Sequence, residues 1–88
     1  MTETKTVTVE VALNEDSAHT EAKATLRIGD VELQADGIAR RNPTDPNVPV
    51  VGEELATARA LSDLSHKLLE TAAKAIEDFT GKPVDLES

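Results

Sequence analysis

Gly29-Asp30 lies between two segments that match each other residue for residue across a turn. Glycine in the first of two central positions is what a type II′ hairpin turn requires. Once the turn is placed, the register follows. Ile28 stands opposite Val31, Leu26 opposite Leu33, Ala24 opposite Ala35 and Ala22 opposite Gly37. On the other face Arg27 meets Glu32 and Lys23 meets Asp36, opposite charges directly across the ladder. Apolar and charge matching agree on one register. A slip of one residue would turn both patterns inside out. Residues 20–28 and 31–40 are therefore two antiparallel strands, and Ala24, Leu26, Ile28, Val31 and Leu33 are expected beneath a covering element.

Residues 5–13 show the same two-residue period, with Val7, Val9, Val11 and Leu13 alternating with Thr6, Thr8, Glu10 and Ala12. This predicts a third strand, joined by the polar connection 14–19. Residues 41–51 hold Pro43, Pro46 and Pro49. Each removes a backbone donor and biases its predecessor towards extended geometry, which predicts a stiff loop held by Asn42, Asp45 or Asn47 and by Arg40 or Arg41. From 53 to 80 there is neither Gly nor Pro. Leu55, Ala58, Leu61, Leu64 or Ser65, Leu68, Ala72, Ala75 or Ile76, and Phe79 recur at spacings of three and four, the pattern of one long amphipathic helix. Gly81 and Pro83 give its stop. Asp63–Lys67 and Glu70–Lys74 are acid-before-base pairs on its solvent face. The expected fold is α+β: a three-stranded antiparallel meander, a Pro-rich loop and one C-terminal helix on one face. With 88 residues, residues 1–88 are expected to form a single domain.

The chain has no cysteine, so it carries neither disulfides nor thiolate chemistry. It has no apolar run of membrane-spanning length and no basic-then-apolar leader, which predicts a cytoplasmic protein without a membrane partner. The glycines stand singly at 29, 37, 52 and 81, so there is no phosphate-cradling loop. His19 and His66 have no partner at metal-ligand spacing. Ser62, Ser65 and His66 are neighbours on one helix, which is not a nucleophile–base–orienter arrangement. No catalytic, metal or cofactor-binding residue is assigned; the expected protein is not an enzyme and needs no cofactor. A net charge of −8 opposes phosphate, and no aromatic side chain lies on the sheet for base stacking. Direct binding to generic RNA is not expected. The residual candidates for partner contact are Arg40, Arg41 and Asn42 at the strand end, with Ile38 on the outer sheet face.

Lengths point to self-association. A helix over 53–80 spans about 42 Å at ~1.5 Å per residue, whereas strands of this size reach about 30–34 Å. One helical end overhangs the sheet, and the overhang carries Ile76 and Phe79. These two are the expected homodimer interface, with folding back of Pro83, Val84 and Leu86 onto Phe79 as the alternative.

The run Ile38-Ala39-Arg40-Arg41-Asn42-Pro43-Thr44-Asp45-Pro46-Asn47-Val48-Pro49, followed by Gly52-Glu53-Glu54-Leu55-Ala56-Thr57-Ala58-Arg59-Ala60-Leu61-Ser62-Asp63-Leu64, resembles the small actinobacterial dsRBD-like domains of unknown function. Some mycobacterial members of that family are dormancy-associated and similar to ribosome hibernation promoting factors. The resemblance implies an α+β fold, dimers and, by structural analogy, ribosome association under stress. Two functions follow as expectations: a stress- or dormancy-linked accessory protein at the ribosome, or an acidic homodimeric protein–protein interaction module that binds no nucleic acid.

Overall fold

A computed structural model describes residues 2–42, 44, 46 and 48–81. Strands β1 (Val9–Glu15), β2 (His19–Ile28) and β3 (Val31–Arg40) form an antiparallel sheet in the order β1-β2-β3, and helix α1 (Pro49–Thr80) packs on one face. The hairpin register is the expected one from Ile28↔Val31 to Ala22↔Gly37. Gly29 has φ 58, the left-handed geometry a Cβ would resist. Of the two charge pairs across the ladder, Arg27–Glu32 closes to 3.2 Å, while Lys23 and Asp36 stand opposite each other without an ion pair.

Strand β1 is shifted along the chain from the expected 5–13. It begins at Val9, paired with Leu26, and continues through Asn14 and Glu15. The reason lies in the turn. Asp16 Oδ1 accepts hydrogen bonds from the backbone N–H groups of Ala18 (2.7 Å) and His19 (2.9 Å). This Asx turn needs only three residues, so the ladder runs closer to it than composition suggests.

Helix α1 starts four residues earlier than the expected Glu53. Pro49, read as a helix breaker, occupies the first turn, where its missing N–H would have had no partner. Val48 precedes it with extended backbone and no side-chain cap. The stop is as expected: Gly81 takes φ 73 and its N–H donates to Glu77 O at 2.6 Å.

The buried face of the helix shares Leu64, with Leu68 half-buried beside it, with the expected stripe and otherwise differs from it. Ala56, Ala60 and Leu64 are buried against Ala22, Ala24, Leu26, Ala35 and Ala39, whereas Leu55 and Leu61 are exposed. The sheet decides this. Gly37 lies directly beneath the helix, and a Cβ there would collide with Ala56 O and Ala60 N and come within 2.9 Å of Arg59 Cβ. Backbone meets backbone, so only the alanine face of α1 fits, and the bulkier Leu-containing face is turned away.

The helix lies over β3 and β2, and β1 falls largely outside its footprint. Ile28, expected in the core, is 46% exposed, and Val31 and Leu33 are only half-buried. On the outer side of β3, Arg59 Nη1 donates to Ile38 O (2.6 Å) and Lys67 Nζ to Gln34 O (2.7 Å). Lys67 also pairs with Asp63 at 3.5 Å, so this expected i,i+4 pair forms at the sheet edge and not on a free solvent face.

Gly37→Ala should lift the helix off the sheet. We expect a loss of about 1–3 kcal/mol, the range for overpacking a tight contact, read as a lower urea midpoint at unchanged slope and protein concentration.

Candidate functional site

Two surfaces compete for a functional role: a cleft where the strand ends meet the start of the helix, and the helix face turned away from the sheet.

The cleft encloses about 570 Å³ between the β1–β2 turn, the end of β3 and the first turns of α1. Ala39, Val48, Val51 and Leu55 give it apolar walls, and Glu15, His19 and Arg40 contribute polar groups. Arg40 is exposed. Arg41 makes the kind of charge-assisted bond to a carbonyl that is expected of Arg40 or Arg41, here to the β1–β2 turn. Its Nε donates to Ser17 O at 3.0 Å and its backbone N–H to Ala18 O at 2.9 Å, so it ties the end of β3 to the β1–β2 turn. Asn42 acts as expected of a turn residue: its Oδ1 accepts from Thr44 N (3.1 Å) and Thr44 Oγ1 (3.0 Å). Pro43, Asp45 and Asn47 lie outside the described residues, as do Pro83, Val84 and Leu86. Ile38 is exposed on the outer sheet face, remote from the helix overhang, so the structure does not bring it together with Ile76 and Phe79.

The titratable groups here play local structural roles. A hydrogen bond with the Glu53 carboxyl, then slight desolvation and the repulsion of that second carboxylate, hold the Glu15 carboxyl above its ordinary value of 4.5. Hydrogen bonds from the Ala18 and His19 backbone N–H groups hold Asp16 below its ordinary 3.8, and His19 Nδ1 lies 3.1 Å from its carboxylate. His66 Nδ1 contacts Ser62 O at 2.9 Å, a bond within one helix. Among the described residues no cluster of His, Cys, Asp or Glu could hold a metal ion, and no helix is long and apolar enough to cross a membrane.

The second surface is larger. At roughly 100° per residue, all seven charged side chains between Leu55 and Thr80 fall within an arc of about 100°: Arg59, Asp63, Lys67, Glu70, Lys74, Glu77 and Asp78. That arc lies towards the outer edge of β3, where Arg59 and Lys67 are bonded. The sheet covers the alanine face. The remaining arc, through Leu55, Ala58, Leu61, Ser65, Leu69, Ala72, Ile76 and Phe79, carries no charge from Leu55 onward and, among the described residues, no covering element. Ile76 is 40% and Phe79 93% exposed. The sequence had pointed to these two alone. The wider face was legible in the clustering of charges, but the apolar three-and-four spacing drew attention to the wrong partner for it.

The Rv2632c-like family profile matches residues 5–85. The chain belongs to the Rv2632c-like family. It is 46% identical over 79 residues to the uncharacterized protein Mb1767 of Mycobacterium bovis, covering 90% of this chain and 84% of that one. It is 40% identical over 80 residues to the uncharacterized protein Rv2632c of Mycobacterium tuberculosis, covering 91% and 86%. A crystal structure of Rv2632c superposes with a TM-score of 0.84 at 38% identity, covering 93% of this chain and 98% of that one. The relatives carry no assigned activity.

Removing the second carboxylate should release Glu15. In Glu53→Gln we expect the Glu15 carboxyl, followed by NMR titration, to move down towards 4.5. The raised value means that the native state favours the protonated form. The stability it contributes is full below 4.5 and lost as pH rises through the raised value. Glu53→Gln should flatten stability across that window.

Proposed function

We propose that this Rv2632c-like protein is a non-enzymatic protein–protein association module that acts as a homodimer. The observation that carries this reading is the uncharged helix face. In a chain with 30% charged residues, a face that keeps charge out from Leu55 to Phe79, nearly seven helical turns, is one that expects an apolar neighbour. Glu54, in line with Ala72 at the start of the helix, is the one charge on this face; the rest of the net −8 sits elsewhere.

Nucleic acid is a poorer fit. A phosphate-binding strip needs several unengaged cations in a row. Arg27 is paired with Glu32, Arg41 is bonded to Ser17, and Arg59 and Lys67 are bonded to the β3 backbone. A role at the ribosome during stress rests on the resemblance to hibernation-associated domains. It ranks second here, and its test is sedimentation of this protein with ribosomal fractions of a stationary-phase lysate.

The association reading is tested by light scattering at micromolar concentration. The expected mass is near twice the 9.4 kDa of one chain; a mass of one chain overturns the homodimer. Incubation with generic double-stranded RNA at physiological salt should give no gel shift. A shift with a log–log salt slope of several units would favour the ribosomal reading.

A further inference from the structure

Among the described residues the helix face is one of two uncovered apolar surfaces, and the two lie side by side. Val9, Val11 and Leu13 of β1 pair with Leu26, Ala24 and Ala22 of β2. Residues directly opposite in a ladder point to the same face, and those three are buried. The β1 side chains therefore lie on the helix side of the sheet. Yet Val9 remains 38% and Leu13 41% exposed, because the helix stands over β2 and β3. Arg59 and Lys67 reach the outer edge of β3, so the opposite flank of α1, carrying Leu61, Leu68 and Ala72, overlooks β1. The result is an open trough with β1 as floor and the uncharged helix flank as wall.

Its width suggests its occupant. Strands are about 4.8 Å apart, so β1 lies about 7 Å to one side of a helix seated between β2 and β3. Packed helices stand 8–10 Å apart. A second helix beside the first would therefore lie above β1. The sheet has room for two helices, and the described residues supply one.

We propose that the trough of each copy is filled by helix α1 of a second copy, giving a two-fold dimer in which a layer of two helices lies between two sheets. This deepens the association reading and rests on it. Each helix rests its alanine face on its own sheet, turns Leu61, Leu68 and Ala72 to the other helix, and presses Leu55, Leu69 and Ile76 onto the other copy's Val9, Val11 and Leu13. The arrangement uses both uncovered surfaces at once. Pairing through the β1 edges alone would instead hold the two helices nearly 20 Å apart and leave the troughs open.

The area is sufficient. At about 150–200 Å² per large apolar residue, the exposures of Val9, Leu13, Leu55, Leu61, Ile76 and Phe79 amount to on the order of 550 Å² per copy. Both copies together pass the ~1,000 Å² that a specific interface needs.

The symmetry is restrictive. A two-fold axis that exchanges sheets above and below one helical layer runs along the helices, so the helices are parallel and each flank residue faces its own copy. The chain has no cysteine, so single cysteines report on this cleanly. Leu61→Cys and Ala72→Cys should each form an intermolecular disulfide on mild oxidation, and Asp63→Cys, on the charged arc, should not. Val9→Lys, at a half-exposed floor position that tolerates the change, should bring the mass to that of one chain with the circular dichroism spectrum unchanged. Gln34→Lys on the outer sheet face should leave the dimer intact. A wild-type monomer overturns the association reading and this proposal together. If removal of residues 82–88 then produces a dimer, the chain's own tail holds the trough and the proposal fails for that reason. A wild-type dimer that survives Val9→Lys, or that forms disulfides through Ser65→Cys but not through Leu61→Cys or Ala72→Cys, keeps the dimer and overturns the trough.

Discussion

Everything in this fold is arranged around the place where helix backbone lies on strand backbone. Gly37 has no side chain to hold the helix away, and Ala56 and Ala60 meet it with single methyl groups at most. Around them the sheet offers Ala22, Ala24, Ala35 and Ala39. Small residues on both sides bring the layers close and strengthen dispersion contacts at short range. The same choice limits how much apolar surface each residue removes from water, roughly 25 cal/mol per Å². Among the described residues no large side chain is fully buried. Among the described residues six alanines lie inside with Leu26 and Leu64, while the valines, the three isoleucines, the other leucines and Phe79 are half-covered or bare.

That inversion links the core to the proposed function. A core of alanines fixes geometry well but contributes little hydrophobic stabilisation for an 88-residue chain. The larger side chains would add that stabilisation only on association. In this view folding and assembly draw on different residues. Ala56, Ala60 and Gly37 set where the helix lies, and the face that the helix then presents is available to a neighbour.

Much of this was legible in the chain before any coordinates. Ile28–Val31 through Ala22–Gly37 followed from one glycine and two alternating patterns. The helix followed from the absence of breakers. What misled was bulk. Leu55 and Leu61 repeat at helical spacing with Leu64 and Leu68 as convincingly as Ala56 and Ala60 do, and a hydrophobic pattern ranks leucine above alanine. Only the sheet's lack of side chains selects the alanine face, and that is a property of two elements jointly. Pro49 misled for a related reason: its local meaning changes from breaker to helix start according to which groups already lack partners. Arg41 was expected to hold the loop that follows β3; its bond to the carbonyl of Ser17, 24 positions away, carries no signature in the sequence.

The two borders of the sheet are not alike. Along β3, the guanidinium of Arg59 and the ammonium of Lys67 occupy the carbonyls of Ile38 and Gln34, and a strand arriving from another molecule would have to displace both. Along β1 no such cations intervene among the described residues. Strand-by-strand growth needs two receptive borders on every unit added. A unit with one obstructed border can at most join another head to head, after which no receptive border remains. For a single chain, the cations that the helix lends to β3 therefore act as a terminator, and growth through its sheet borders ends at a pair.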